Sequence, residues 1–290
     1  MNIDILMVRH PADRHSPVIP AMIAELERHG ATVRRHYPDE APVLDLTPET
    51  TDLLVLKAKT PAALEAARAA SEAGVACFPP YATTQVCRDK VATTQALHEH
   101  GVPVPETWTV TDPAALAAQL AHGPLILKPI RGSQGRGIEV IHTADELEAW
   151  ASQAQAARAH DDGAPDDNTP GDAIMAQRYH APDGRDRKIY RIGEEVFCVE
   201  RVWPPRSYAD KLGRLVELPA EVADVARRCG EALGIDTYGV DIIEHAGRPY
   251  VVDLSSFPGF KGVPDAGPRL AARVLAAAHV AAAPQDEARA

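Results

Sequence analysis

The chain has 290 residues, of which 45% are hydrophobic, and its formal net charge is −11. This composition excludes intrinsic disorder, and the length is sufficient for two or three lobes with buried cores. The negative charge argues against nucleic acid and anionic membranes as partners, because their phosphates would be repelled at long range. Four scattered cysteines without zinc-binding spacing, and the absence of a basic leader or a long apolar run, predict a soluble cytoplasmic protein.

The first 80 residues are predicted to form an open α/β domain, because short apolar strands alternate with helices that end at glycine. The predicted elements are strands at residues 3–8, 32–36, 53–57 and 75–78 and helices at residues 17–30 and 61–74. The predicted fold class is therefore α/β, with α+β lobes after residue 80.

Residues 81–177 are predicted to form a second, smaller lobe. Prolines at 103 and 105 rule out helix there and enforce an extended backbone after a first helix. The predicted elements are a helix-rich segment at residues 84–100, an apolar strand carrying Lys128, a glycine-rich loop, a strand at residues 138–141 and a helix at residues 144–157.

Residues 178–283 are predicted to form the last and larger lobe, built from two hairpins and a helix, with a frayed tail at residues 284–290. Glycines at 193 and 247 mark the two hairpin turns. The predicted elements are strands at residues 186–192, 196–202, 238–244 and 250–254 and a helix at residues 219–233, and a predicted strand at residues 173–179 leads into the lobe.

The segment at residues 125–138 reads Leu-Ile-Leu-Lys-Pro-Ile-Arg-Gly-Ser-Gln-Gly-Arg-Gly-Ile and indicates a triphosphate-binding loop. Glycines allow backbone N–H groups to turn toward phosphate oxygens, and Lys128 on the adjoining strand adds a point charge. The pattern is neither a Walker A motif nor a dinucleotide-binding fingerprint. Taken alone, a plain hairpin turn is the alternative interpretation.

Two aspartates, Asp241 and Asp253, are predicted to lie on consecutive strands of the last hairpin. Alternate residues of a strand share a face, so cross-strand neighbours can reach one metal ion. Carboxylate oxygens are hard ligands that suit Mg²⁺ when phosphate and water complete the octahedron. Exposed strand acids are the alternative, but both residues stand in apolar runs, where an unpaired carboxylate is costly.

The order of four motifs resembles that of the ATP-grasp superfamily over roughly residues 80 to 270. A helix opened by Arg88-Asp89-Lys90 comes first, and the lysine strand with its glycine loop follows. The segments Gly-Val-Asp-Ile-Ile-Glu at residues 239–244 and Val-Val-Asp-Leu-Ser-Ser-Phe-Pro-Gly-Phe at residues 251–260 complete the series. The resemblance implies an ATP-grasp fold preceded by a pre-ATP-grasp α/β domain.

The resemblance also implies ATP as cofactor, with two Mg²⁺ ions or Mn²⁺ in their place. Lys90 and Lys128 would hold the α- and β-phosphates, although without the motif order solvated element ends would be the preferred interpretation. The glycine loop would close over the β- and γ-phosphates, and residues 175–179 with an acid beyond them would contact adenosine. The implied nucleotide-binding residues are Lys90, Lys128, Gly132, Ser133, Gln134, Gly135, Gly137, Gln177, Tyr179 and Asp183.

The metal ligands implied by the resemblance are Asp241, Asp253 and Ser255. Family enzymes commonly have an asparagine two residues after the second acid, where its amide oxygen is a further metal ligand. This chain has serine, whose hydroxyl can ligate Mg²⁺ or hold a liganded water but is shorter, so a second metal ion is expected to bind less tightly.

Residues 186–193 resemble the family's Asp-x-Arg/Lys-x-x-x-x-Gly strand, whose basic residue faces the transferred phosphoryl group. Lys188 or Arg191 is expected to fill this catalytic role. Because they are three residues apart on a strand, they point to opposite faces, and at most one faces the cleft without a bulge. Arg201 on the partner strand is a third candidate cation.

The glycine loop looks most like that of RimK-type α-L-glutamate ligases, which implies an ATP-dependent carboxylate–amine ligase acting through an acyl phosphate on a small-molecule, amino-acid or peptide acceptor. Many relatives self-associate, so a homo-oligomer is compatible with the resemblance. The alternative is a kinase similar to ATP-grasp inositol-polyphosphate kinases. A non-catalytic nucleotide-binding protein is a third interpretation. Cations that could line a kinase acceptor pocket are Arg9, His10, Lys57, Lys59, Lys211 and Lys261.

Overall fold

The structure is a computed structural model that describes residues 1–9, 16–43, 46–130, 137–159, 173–181, 185–202 and 213–282. Within these ranges the strands form three sheets, one of them parallel and two antiparallel. The mixed α/β class predicted from the sequence is confirmed.

The first sheet consists of four parallel strands in the order β2-β1-β3-β4. Its elements are β1 (Asn2–Leu6), α1 (Val18–Arg28), β2 (Thr32–His36), β3 (Leu53–Leu56), α2 (Pro61–Glu72) and β4 (Cys77–Phe78). Helix α2 begins where the Thr60 hydroxyl accepts a hydrogen bond from the Ala63 N–H, with proline at the first helical position. Every element predicted for this domain is present.

Two helices, α3 (Tyr81–Arg88) and α4 (Lys90–Glu99), follow the first domain. The helix-rich segment predicted at residues 84–100 is two helices, because Asp89 between them has extended backbone angles, φ −95° and ψ 111°. Its carboxylate accepts hydrogen bonds from the backbone N–H groups of Val91 and Ala92 and thereby caps α4. Lys90 is consequently the first residue of a new helix.

The second sheet has the antiparallel order β5-β8-β6-β7. Its elements are β5 (Thr107–Val110), a 3₁₀ turn (Pro113–Leu116), α5 (Ala117–Leu120), β6 (Leu125–Pro129), β7 (Glu139–Ile141), α6 (Ala144–Ala159) and β8 (Ile174–Arg178). Leu125 and Leu127 of β6 point into a core with Ile141 and Leu147, since alternate residues of a strand share a face. Lys128 therefore points to the opposite face.

The third sheet has the antiparallel order β11-β10-β9-β12-β13. Its elements are β9 (Arg185–Ile192), β10 (Glu195–Val202), β11 (Arg214–Val216), α7 (Ala220–Leu233), β12 (Thr237–His245) and β13 (Arg248–Ser255). The β12–β13 register pairs Asp241 with Asp253 and Ile242 with Val251, so Val252 is the extra residue of a β-bulge.

The last helix, α8 (Ala266–Ala282), packs against α1 of the first domain. Leu270 and Val274 belong to the same core as Ile3 and Met22. The chain thus returns to the first domain after the third sheet. None of the helices in the described ranges is long and apolar enough to cross a membrane.

Candidate active site

Asp241 lies at the centre of a charged cluster on the third sheet. Its strand, β12, runs between β9 and β13, so Asp241 is opposite Lys188 on one side and Asp253 on the other. The Lys188 Nζ atom is 2.6 Å from Asp241 Oδ2, and the Arg201 Nη2 atom is 2.7 Å from Asp241 Oδ1. Both carboxylate oxygens of Asp241 therefore accept a charge-assisted hydrogen bond.

The charges of this cluster stabilise one another despite burial. Burial of Asp241 favours its neutral form, but the positive charges of Lys188 and Arg201 outweigh this and hold the carboxyl pKa below its ordinary value. For Lys188 burial likewise opposes ionisation, and the neighbouring Asp241 and Asp253 raise its pKa above the ordinary value. The cluster is thus ionised at neutral pH.

The register of β9 and β10 explains why Lys188 and Arg201 meet. Lys188 is paired with Val199, and Arg201 stands two residues further along β10, on the same face of the sheet. Arg191 lies on the opposite face, where its Nε atom donates to the Gly193 carbonyl at 2.8 Å. The structure therefore brings Lys188 and Arg201 to Asp241, and Arg191 is withdrawn as a catalytic candidate.

Lys128 reaches the same region from the second sheet. Its Nζ atom donates to Gln177 Oε1 at 2.7 Å and to the Val252 carbonyl, at the β-bulge, at 3.1 Å. Gln177 in turn donates to the Thr107 hydroxyl at 3.0 Å. Burial lowers the pKa of Lys128 to about 8, although the negative charge of Asp253 acts in the opposite direction.

Lys90 lies beside this group. Its backbone N–H donates to the carbonyl of Ile130 at 3.0 Å, which joins the start of α4 to the end of the lysine strand. Lys90 and Asp253 line one cavity together with Cys87 and Thr93. Burial lowers the pKa of Lys90, and Asp253 partly offsets this. The residues that the motif order singled out, from four separate segments, are thus brought together.

Ser255, at the end of β13, is contacted by the first domain. Its hydroxyl accepts a hydrogen bond from Lys59 Nζ at 3.0 Å. Lys59 lies in the loop between β3 and α2, and burial lowers its pKa to about 8 while Asp253 acts to raise it. From the sequence, Lys59 is expected only among the cations of a kinase acceptor pocket.

Lys57 comes from the same loop and forms a second link to the third lobe. Its Nζ atom donates to the carbonyls of Phe257 and Pro258 at 3.2 and 3.1 Å. Burial lowers the pKa of Lys57 to about 7, and the like charges of Lys59 and Lys261 lower it further. Three of the lysines expected for the kinase acceptor pocket therefore lie near one another.

Several other predicted residues lie elsewhere or outside the described ranges. Arg9 pairs with Glu40 on the surface. The Tyr179 N–H is used in a bond to the Pro124 carbonyl, and Gly137 has a φ of +68°, which favours glycine. The candidates outside the described residues are His10, Gly132, Ser133, Gln134, Gly135, Asp183, Lys211 and the tail at residues 284–290.

The donor set suits a metal ion that arrives with a phosphate ligand. Asp241 and Asp253 are cross-strand partners with carboxylate oxygens, the ligand type that Mg²⁺ prefers. No group of three or more His, Cys, Asp or Glu side chains able to hold a metal occurs in the described part of the chain. The pair therefore fits a magnesium ion completed by nucleotide and water, whereas Ser255 is engaged by Lys59.

Cations from two sheets and a helix, facing two carboxylates, define a nucleotide-binding protein of the ATP-grasp class. The family model of the RimK-like ATP-grasp domain matches residues 87–278, more than half of the chain. The chain belongs to this family, as its motif order predicted.

Related proteins are consistent with this assignment. A probable alpha-L-glutamate ligase of Enterobacter sp. is 26% identical over 186 residues, which are 61% of this chain and 58% of that protein. The chain therefore matches little more than half the length of this curated relative.

A RimK domain ATP-grasp protein from Sphaerobacter thermophilus has a TM-score of 0.70 at 19% identity, covering 95% of this chain and 100% of that one. D-alanine–D-alanine ligase from Bacillus anthracis has a TM-score of 0.73 at 17% identity, covering 97% and 98%. Both structures share the fold.

Proposed function

We propose that the chain is an ATP- and Mg²⁺-dependent ligase that joins a carboxylate to an amine through an acyl phosphate. The observation that carries the proposal is the convergence of Lys188 and Arg201 on Asp241. Lys90 and Lys128 lie near Asp253 in the same region. The glutamate ligase named among the relatives supports carboxylate–amine chemistry.

Each group has a distinct task in this reaction. Lys90 and Lys128 bind the α- and β-phosphates of the nucleotide as point charges. Lys188 and Arg201 neutralise the negative charge of the phosphoryl group as the substrate carboxylate attacks the γ-phosphorus and ADP leaves. A bound Mg²⁺ supplies charge neutralisation at the phosphates, and Asp241 and Asp253 would hold it.

The second half-reaction needs no nucleophile from the protein. The amine of the acceptor attacks the acyl carbon, the C–O bond to phosphate breaks, and inorganic phosphate leaves as the amide forms. Positioning of the two substrates and exclusion of water supply the rate enhancement. We propose an amino acid as the donor of the carboxylate and an amino acid or peptide as the amine-bearing acceptor.

The decisive experiment follows both products with a panel of amino acids, ATP and Mg²⁺. ADP release is measured in a coupled assay, and mass spectrometry identifies the product. A donor whose carboxylate carries ¹⁸O should transfer one labelled oxygen to inorganic phosphate if an acyl phosphate forms. An amide without ¹⁸O in phosphate would reject the acyl phosphate, whereas a phosphorylated acceptor would replace the ligase by the kinase alternative.

A matched pair of variants on one strand tests the assignment of the phosphoryl-binding cation. Lys188→Met removes a cation that contacts Asp241, and Arg191→Met removes one on the opposite face of β9. The first should lower kcat by about a hundredfold or more, in the range of a lost transition-state donor, and the second should change it little. Equal losses would contradict the assignment.

A further inference from the structure

The position that supplies a third metal ligand in the resembling family is already engaged in this chain. Ser255 stands two residues after Asp253, and its hydroxyl accepts a hydrogen bond from Lys59 Nζ at 3.0 Å. A serine side chain is shorter than asparagine and cannot extend an oxygen past this ammonium. A positive charge from the first domain therefore lies where a metal-binding oxygen is expected.

The backbone on both sides of Lys59 fixes this charge in place. Ala58 is buried, and its N–H donates to the Leu6 carbonyl at 2.7 Å. Thr60 on the other side is the N-cap of α2. The backbone of Lys59 is therefore held between a sheet and a helix start, from where its side chain reaches Ser255.

The electrostatic surroundings disfavour an additional divalent ion beside this ammonium. Asp253 is attracted to Lys59, and Lys188 is close enough to Lys59 for the two like charges to be felt. A second Mg²⁺ would therefore add two charges next to existing cations and would gain only a short, already bonded hydroxyl as ligand.

We propose that the ammonium of Lys59 takes the place of the second metal ion, so that the nucleotide binds with a single divalent ion at Asp241 and Asp253. The proposal rests on the nucleotide site of the proposed function. An ammonium has three N–H donors, and the bond to Ser255 leaves donor capacity for an anionic phosphate oxygen. Lys59 thus supplies by a fixed charge the neutralisation that a second ion supplies elsewhere.

The test counts metal ions per bound nucleotide, a readout independent of catalysis. Full-length protein is saturated with Mn²⁺ and a non-hydrolysable ATP analogue, unbound material is removed, and both components are quantified. Electron paramagnetic resonance then reports whether pairs of Mn²⁺ ions are coupled. The wild type should retain about one Mn²⁺ per nucleotide without coupling, as expected for a site with one set of hard ligands.

The double variant Lys59→Met with Ser255→Asn should bind about two coupled Mn²⁺ ions per nucleotide, because the fixed charge is gone and an amide oxygen is available. Lys57→Met removes a lysine charge two residues from Lys59 and should leave the number of Mn²⁺ ions per nucleotide unchanged. Two ions in the wild type, or one in a folded double variant, would overturn the proposal. A wild-type count of two ions rejects the proposal even if the double variant fails to fold, and the single variant Lys59→Met, in which the count should rise above one, then tests the role of the charge.

Failure of the proposed function gives a different result. A protein that retains no analogue at any Mn²⁺ concentration has no nucleotide site, and both proposals are then rejected. A protein that retains the analogue together with two coupled ions keeps its nucleotide site and loses only the role of Lys59. Nucleotide retention and metal count therefore separate the two conclusions.

Discussion

Replacement of Asp241 by asparagine should destabilise the protein in the absence of nucleotide. The substitution keeps the shape of the side chain but removes the carboxylate that is hydrogen-bonded to Lys188, which is 8% exposed. Of the two hydrogen bonds, at 2.6 and 2.7 Å, one is lost because the amide NH2 group cannot accept, and the other becomes a bond to a neutral oxygen. Each hydrogen bond to a charged group contributes about 1.5–3 kcal/mol.

The expected loss is smaller than the sum of the two bonds. Arg201 is 22% exposed at its side chain and regains some hydration, and Asp253 partly compensates Lys188. Breaking a buried ion pair by removing one partner costs about 3–5 kcal/mol, so about 3 kcal/mol is expected here. Urea denaturation at pH 7.5, without nucleotide or divalent metal, measures the difference in unfolding free energy.

Asp236→Asn is the matched control for this prediction. Asp236 also pairs with an arginine at 2.7 Å, but the side chains of Asp236 and Arg273 are 33% and 30% exposed. Pairs that remain hydrated contribute about 1 kcal/mol or less. If Asp241→Asn destabilises the protein no more than Asp236→Asn, the cluster around Asp241 does not contribute through burial, and the reasoning is refuted.

The pH dependence of the stability difference between wild type and Asp241→Asn tests the direction of the Asp241 pKa shift. The pKa of Asp241 is lowered in the folded state, so its contribution is present above the ordinary carboxyl pKa and is lost as the pH falls through the folded value. The difference between wild type and Asp241→Asn should therefore be constant above about pH 5 and shrink below about pH 4. A difference that grows on acidification would contradict the assignment.

Two further predictions concern the nucleotide site and the packing of the last helix. Nucleotide affinity should weaken above pH 8, because Lys128, whose pKa is lowered to about 8, must take up a proton on binding; Lys128→Arg should flatten this dependence in calorimetric titrations. Gly267→Ala should lower the unfolding free energy by about 1–3 kcal/mol, because the added Cβ would lie 2.6 Å from the Ala21 Cβ. Gly259→Ala, whose Cβ would meet side-chain atoms at an ordinary 3.8 Å, should have a much smaller effect in the same denaturation experiment.

The regular elements with a clear hydrophobic period could be predicted from the sequence. Strand β2 has the predicted bounds, and β12 and β13 contain the predicted acid strands. The face of Lys188 relative to Arg191 also followed from strand geometry. Whether Lys188 or Arg191 points toward Asp241 depends on the pairing of β9 with β12. These strands are about fifty residues apart in the chain, and no local pattern specifies their pairing.

Other features depended on contacts that a local pattern does not reveal. Strand β5 is short and half-buried, and it exists through pairing with β8, far along the chain. The break at Asp89 follows from capping, which an Asp within a helical pattern only suggests. The helical spacing of Leu270, Val274 and Ala278 is a sequence signal for helix α8. No pattern in the sequence predicts that this helix packs on the first domain.

The least predictable feature is the participation of the first domain in the candidate site. Lys57 and Lys59 stand just after a buried strand of a parallel sheet, at the carboxyl edge where α/β domains commonly place ligand-binding residues. Their partners lie about two hundred residues later, at Ser255, Phe257 and Pro258. Because α8 packs on α1 as well, the first domain is tied to the last lobe on two sides. The loop that carries Lys59 is therefore held next to the strand that carries Asp253, which is the condition for its ammonium to reach Ser255 and to replace a metal ion there.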